Sequence, residues 1–142
     1  MTDRLILEII SPERSLVREE ADMVTAPGSL GEFGVLPGHA PFMTTLGIGE
    51  VSYVKGGETA GYLAVAGGYA EVLNDRMIIL AETAEMAEEI DVARAKAALE
   101  RAERRLFSGS PDIDVDRARL AMMRALTRLK VAEKVKRKEG AG

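Results

Sequence analysis

The chain has 142 residues, 46% apolar and 30% charged, a soluble globular balance that excludes disorder along its whole length. It has no cysteine and a single histidine, His39, so disulfides, thiolate nucleophiles and multi-histidine metal sites are excluded. The net charge of −4 argues against a nucleic-acid binder, and no run of about 18 apolar residues is present to span a bilayer. The start, Met1-Thr2-Asp3-Arg4, leads into a short alternating stretch rather than the continuous apolar core of a secretory signal. Composition therefore points to a metal-free, cytosolic-type protein without a catalytic site.

In chain order, Leu5–Ile10 is a short apolar strand ended by Ser11-Pro12. Ala21–Ala26 is a second, closed by Pro27-Gly28, and Phe42–Leu46 a third, closed by Gly47. Glu50–Lys55 and Glu58–Ala66 flank Gly56-Gly57, a strong hairpin signal because both central positions of such a turn need positive φ. Tyr69–Leu73 and Met77–Ala81 flank Asn74-Asp75-Arg76, a second hairpin. Seven or eight short strands at about ten-residue spacing predict a sandwich or a barrel.

The character changes near residue 84. Residues 1–84 carry 5 Lys+Arg against 12 Asp+Glu, a net of −7, and 11 of the 14 glycines. Residues 85–142 carry 14 Lys+Arg against 11 Asp+Glu, a net of +3. There, Val92, Ala95, Leu99, Ala102 and Leu106 recur at spacings of three and four, as do Val115, Ala118, Met122, Ala125, Leu129 and Ala132. These are the seams of two helices, broken at Ser108-Gly109-Ser110-Pro111, with Asp112 or Asp114 to cap the second. The short connection predicts an antiparallel hairpin, and its many alanines predict a thin, weakly held seam. The chain thus divides into 1–84, a β domain, and 85–142, a helical hairpin.

No phosphate loop, no Gly-x-Gly-x-x-Gly and no Ser-His-Asp set occurs, and carboxylate pairs such as Glu19-Glu20 and Glu88-Glu89 read as solvated surface. Two constellations remain. The string Gly31-Glu32-Phe33-Gly34-Val35-Leu36-Pro37-Gly38-His39-Ala40-Pro41 reads, by itself, as a glycine-rich turn in which His39 satisfies a local carbonyl. Arg94 and Arg101, seven apart, share one helical face, as do Arg124 and Arg128, four apart; by itself such spacing reads as a solvated charged face. The stretch Lys130–Lys138, opposed only by Glu133, is basic but has no aromatic residues for stacking bases, so it fits an acidic partner protein better than nucleic acid.

The Gly31–Pro41 string, together with Leu63-Ala64-Val65-Ala66-Gly67-Gly68-Tyr69-Ala70-Glu71-Val72 and Ile90-Asp91-Val92-Ala93-Arg94-Ala95, closely resembles the epsilon subunit of bacterial F-type ATP synthases, from about residue 4 to residue 133. The resemblance implies an N-terminal flattened β-sandwich followed by a C-terminal antiparallel two-helix hairpin. It implies a non-catalytic central-stalk (rotor) subunit that couples proton translocation to ATP synthesis and regulates ATP hydrolysis through its helices. The partners implied are the gamma subunit, the c-subunit ring and, when the helices extend, the alpha and beta catalytic subunits. The place implied is peripheral, on the cytoplasmic side of the bacterial plasma membrane, with no nucleic acid.

Residue by residue, Glu32, Gly34 and His39 match the family's contact with the polar loops of the c-ring. Glu85, Ile90, Asp91, Arg94, Ala95, Arg101, Arg124 and Arg128 match a regulatory ATP site found in some members. A closed hairpin would converge four guanidinium groups on phosphate, while Asp91 and Glu85 accept from the adenine amine or ribose hydroxyls. No cofactor is required, ATP being a regulatory ligand, and no metal site is implied. A second reading from another class is a free-standing ATP-sensing module, which co-purification with gamma would separate from a rotor subunit.

Overall fold

The structure, a computed structural model, describes residues 4–141, with side chains through residue 136. Met1–Asp3, Gly142 and the side chains of Arg137 and Lys138 in the basic stretch lie outside the described residues. The described chain forms eight strands, β1 (Leu5–Ile10), β2 (Ser15–Ala21), β3 (Met23–Gly28), β4 (Gly31–Val35), β5 (Phe42–Thr45), β6 (Ile48–Lys55), β7 (Glu58–Leu73) and β8 (Arg76–Met86). A single 3-10 turn, Ala87–Glu89, precedes helices α1 (Val92–Phe107) and α2 (Val115–Ala141).

Along the hydrogen-bonded path the strands run β2-β1-β8-β7-β6-β3-β4, with β5 paired to β7 off this path. The expected strands Glu58–Ala66 and Tyr69–Leu73 are one strand of 16 residues. Its first part pairs with β6 as far as Ile48↔Ala66, and its second part pairs with β5 from Thr45↔Tyr69. The change of neighbour falls at Gly67 and Gly68, with φ +72° and +108°. The N–H of Leu46 donates to the Gly68 carbonyl at 2.8 Å and that of Gly67 to the Gly47 carbonyl at 3.2 Å. The strand therefore turns a corner without losing its bonds, and one hydrophobic cluster takes Leu63 and Val65 from before the corner and Ala70 and Val72 from after it.

Alternation fills that cluster from each strand. Leu5, Leu7 and Ile9 of β1 point inward, and Met77 and Ile79 of β8 join them. β2 and β4 carry little strand signal in the sequence. In β2 the run Arg18-Glu19-Glu20 buries nothing, and in β4 only Val35 is fully buried, so neither carries an apolar alternation. β8 continues to Met86 because Thr83–Met86 pair with Leu63–Ala66, which moves the boundary between the two units from residue 84 to after Met86.

In the second unit, Ala95, Ala102, Ala118, Ala125, Val131 and Ala132 are buried, while Leu99, Leu106, Met122 and Leu129 are only half covered. Val115 is 47% exposed and stands outside the seam. Position 115 is the first residue of α2.

Gly68 carries the corner of β7: a Cβ there would stand 2.0 Å from the Leu80 carbonyl oxygen. Gly68→Ala is expected to cost about 3 kcal/mol or more, by combining a left-handed φ with a backbone collision, and thermal unfolding of the variant measures it. A fragment ending at Met86 is expected to keep a cooperative β-type melting transition, and loss of that transition would refute independent folding of the first unit.

Candidate functional site

The Ile90-Asp91-x-x-Arg94-Ala95 motif is a helix start. Asp91 is the N-cap of α1, its Oδ1 accepting from the Arg94 N–H at 3.1 Å. The Ala95 N–H donates to the Asp91 carbonyl at 3.0 Å. Ile90 is buried just before the cap and Ala95 lies in the helix seam. Each residue of the motif, apart from the Arg94 side chain, thus has a structural task in setting where α1 begins. The signal for this was present in the sequence, an Asp directly before an apolar-periodic run. Asp114 does the same for α2, accepting from the Arg117 N–H at 3.1 Å.

The four arginines stand beside the seam. Val92 and Lys96 share one cleft with Leu129 and Lys136, so the start of α1 lies against the end of α2 and the helices run antiparallel. Successive helical residues rotate by about 100°. Arg94, Arg101 and Arg124 each precede a buried alanine (Ala95, Ala102, Ala125) by one position, and Arg128 lies four before Ala132. All four are set back to the same rotational side of the seam. In two antiparallel helices that face each other, the same rotational side is the same face of the pair. Lys96 and Glu133 follow Ala95 and Ala132 by one position and share the opposite cleft, as this geometry requires. The same register sets Arg101 near the level of Arg124 and Arg128. Arg94, Arg101 and Arg124 are exposed and Arg128 is half-buried. Glu85 belongs to the first unit, on β8 opposite Ala64.

The other constellation is part strand and part loop. Glu32 and Gly34 lie in β4, opposite Pro27 and Thr25 of β3, both exposed, while the alternate residues Phe33 and Val35 turn inward. His39 sits in the loop that follows. Its Nδ1 is 2.7 Å from the Ala40 carbonyl oxygen, and its ring meets Phe42 edge-on at 5.8 Å. Phe42 packs in turn on Phe33 at 5.3 Å. The loop is closed by the His39 N–H donating to the Leu36 carbonyl at 3.2 Å. The Gly38 N–H donates to Asp75 Oδ1 at 2.7 Å, a link across 37 residues that no local pattern announces.

Among the described residues, no group of three or more His, Asp or Glu is arranged to hold a metal ion, and no helix is long and apolar enough to cross a membrane.

Residues 4–87 match the family model described as ATP synthase, Delta/Epsilon chain, beta-sandwich domain, and residues 88–133 match ATP synthase, Delta/Epsilon chain, long alpha-helix domain. The ATP synthase epsilon chain of Syntrophobacter fumaroxidans is 53% identical over 134 residues, covering 94% of this chain and 99% of that one. The ATP synthase epsilon chain of Geobacter metallireducens is 50% identical over 139 residues, 97% of this chain and 100% of that one. A chain in the cryo-EM structure of the Euglena gracilis mitochondrial ATP synthase OSCP/F1/c-ring superimposes with a TM-score of 0.75 at 25% identity, over 87% of this chain and 78% of that one.

Asp91→Ala is expected to lower the stability of the hairpin by about 1 kcal/mol through loss of the cap, and Asp91→Asn, which can still accept from Arg94, to leave it nearly unchanged. Amide exchange in α1 measures both.

Proposed function

The chain belongs to the ATP synthase delta/epsilon family and is an epsilon-type, central-stalk subunit of that rotary complex, and from its two constellations we propose how it couples and regulates. It performs no bond chemistry itself. The first unit binds the gamma subunit and rests on the c-ring through Glu32, Gly34 and His39, on the cytoplasmic side of the bacterial plasma membrane. The exposure of Glu32 and Gly34 on β4 and the packing of His39 through Phe42 onto Phe33 support this reading: the acid and the imidazole are presented from an anchored surface. Charge pairs at such a rim set register and partner choice more than affinity.

The hairpin is the regulatory unit. ATP binds its closed form through Arg94, Arg101, Arg124 and Arg128, with Ile90, Asp91 and Ala95 fixing the start of α1. The observation that carries this is that four arginines stand on one side of an alanine seam, with Arg101 near the level of Arg124 and Arg128. Guanidinium pairs grip phosphate oxygens bidentately. A ligand shifts the closed–open balance only by its differential affinity, and ATP held by both helices has that differential built in. Opened, α2 reaches acidic surfaces of the alpha and beta subunits and opposes hydrolysis.

Isothermal titration of the isolated chain with ATP tests the site. Saturable binding is expected, weakened at least about tenfold by Arg94→Ala and unchanged by Lys96→Ala on the opposite face. Absence of saturable heat at millimolar ATP would refute it. In the assembled enzyme, truncation after Met86 is expected to raise ATP hydrolysis while proton-driven synthesis persists, and unchanged hydrolysis would refute the inhibitory role alone.

A further inference from the structure

The turn between β7 and β8 holds Asn74 at φ +50° and Asp75 at φ +59°, the two-residue form in which both central positions are left-handed. For the turn alone, glycine is the favoured second residue. Aspartate is tolerated there, and its side chain does something glycine cannot. Asp75 Oδ1 accepts from the Gly38 N–H at 2.7 Å. The same residue's carbonyl accepts from the Ile6 N–H at 2.9 Å, so its backbone is tied to β1 while its side chain reaches the loop. Gly38, at φ +82°, is the residue before His39 and lies within the Leu36–His39 turn. Just beyond the loop β5 begins, with Phe42 opposite Val72 of β7, two positions before the turn.

The loop that carries His39 is therefore held at one end by ring packing on Phe42 and at its tip by a carboxylate from a distant turn. We propose that Asp75 is a positioning residue for this loop: its carboxylate fixes the Gly38 N–H and so sets where His39 stands for docking on an acceptor surface. This rests on the reading of the Glu32–His39 region as the c-ring contact. A bond from a backbone N–H to a carboxylate is charge-assisted, and so stronger than one to a neutral acceptor.

Asp75→Gly separates positioning from folding. It creates the most favourable two-residue turn sequence and removes only the carboxylate. The full-length variant is expected to melt at or above the wild-type temperature, with the Gly38 amide exchanging at least about tenfold faster. Asp75→Asn, whose side-chain oxygen can still accept, restores most of the protection. In the assembled enzyme, a cysteine replacing His39 reports position by crosslinking to the polar loop of the c subunits. Asp75→Gly is expected to cut that yield at least about threefold and Asp75→Asn to recover it. An unchanged Gly38 exchange rate overturns the proposal, and so does an unchanged crosslink yield once Gly38 has been freed. If the cysteine with Asp75 intact crosslinks only to other subunits, the c-ring reading itself falls and the proposal falls with it.

Discussion

At Gly68 the backbone of β7 approaches Leu80 so closely that a Cβ would stand 2.0 Å from its carbonyl oxygen. That contact lets one 16-residue strand keep β8 beside it on one edge while exchanging β6 for β5 on the other. Without the corner, Leu63 and Val65 would not share a cluster with Ala70 and Val72, and β5 would have no edge to join. The consequence reaches the surface proposed for coupling, because β5 begins at Phe42, on which His39 packs. The rigid unit and its presented loop thus depend on two residues without side chains.

The helical unit has the opposite character. Its buried seam is mostly alanine, which permits close approach of the helices but removes little apolar area from water. Caps at Asp91 and Asp114 define where each helix starts, and neither adds much beyond about 1 kcal/mol. Positive charge gathered on one face of such a pair repels itself, and a multiply charged anion relieves the repulsion. A strongly packed hairpin is already closed, so such a ligand stabilises it without changing its population; a thin one converts modest binding energy into a change of population.

Much of this was legible in the residues. The apolar run Leu5–Ile10 and the turn signals Gly56-Gly57 and Asn74-Asp75-Arg76 give strands and hairpins by local chemistry alone, and the apolar spacing with its alanines gives both helices. β2 and β4 were missed because edge strands rich in charge or glycine carry no period-two apolar signal, although backbone pairing still forms them. Gly67-Gly68 read as a break because glycine ordinarily ends a strand; that the strand continues depends on Leu46 and Gly47, which supply hydrogen-bond partners from 20 residues away or more. The arginines were legible as faces of separate helices, but that both faces lie on one side of the pair follows only from the antiparallel packing. Asp75 was legible as a turn residue and silent about Gly38, since a carboxylate's long-range partner leaves no periodic trace.

Amide hydrogen exchange of the full-length chain, with and without millimolar ATP, tests most directly whether a rigid β unit carries a marginal, ligand-tuned hairpin. Core amides of β7 and β8 should exchange slowly in both conditions, while those of α1 and α2 should exchange far faster without ATP and slow markedly when it is added. Helices as protected as β7 in the absence of ATP, or helices indifferent to it, would contradict this view of the molecule.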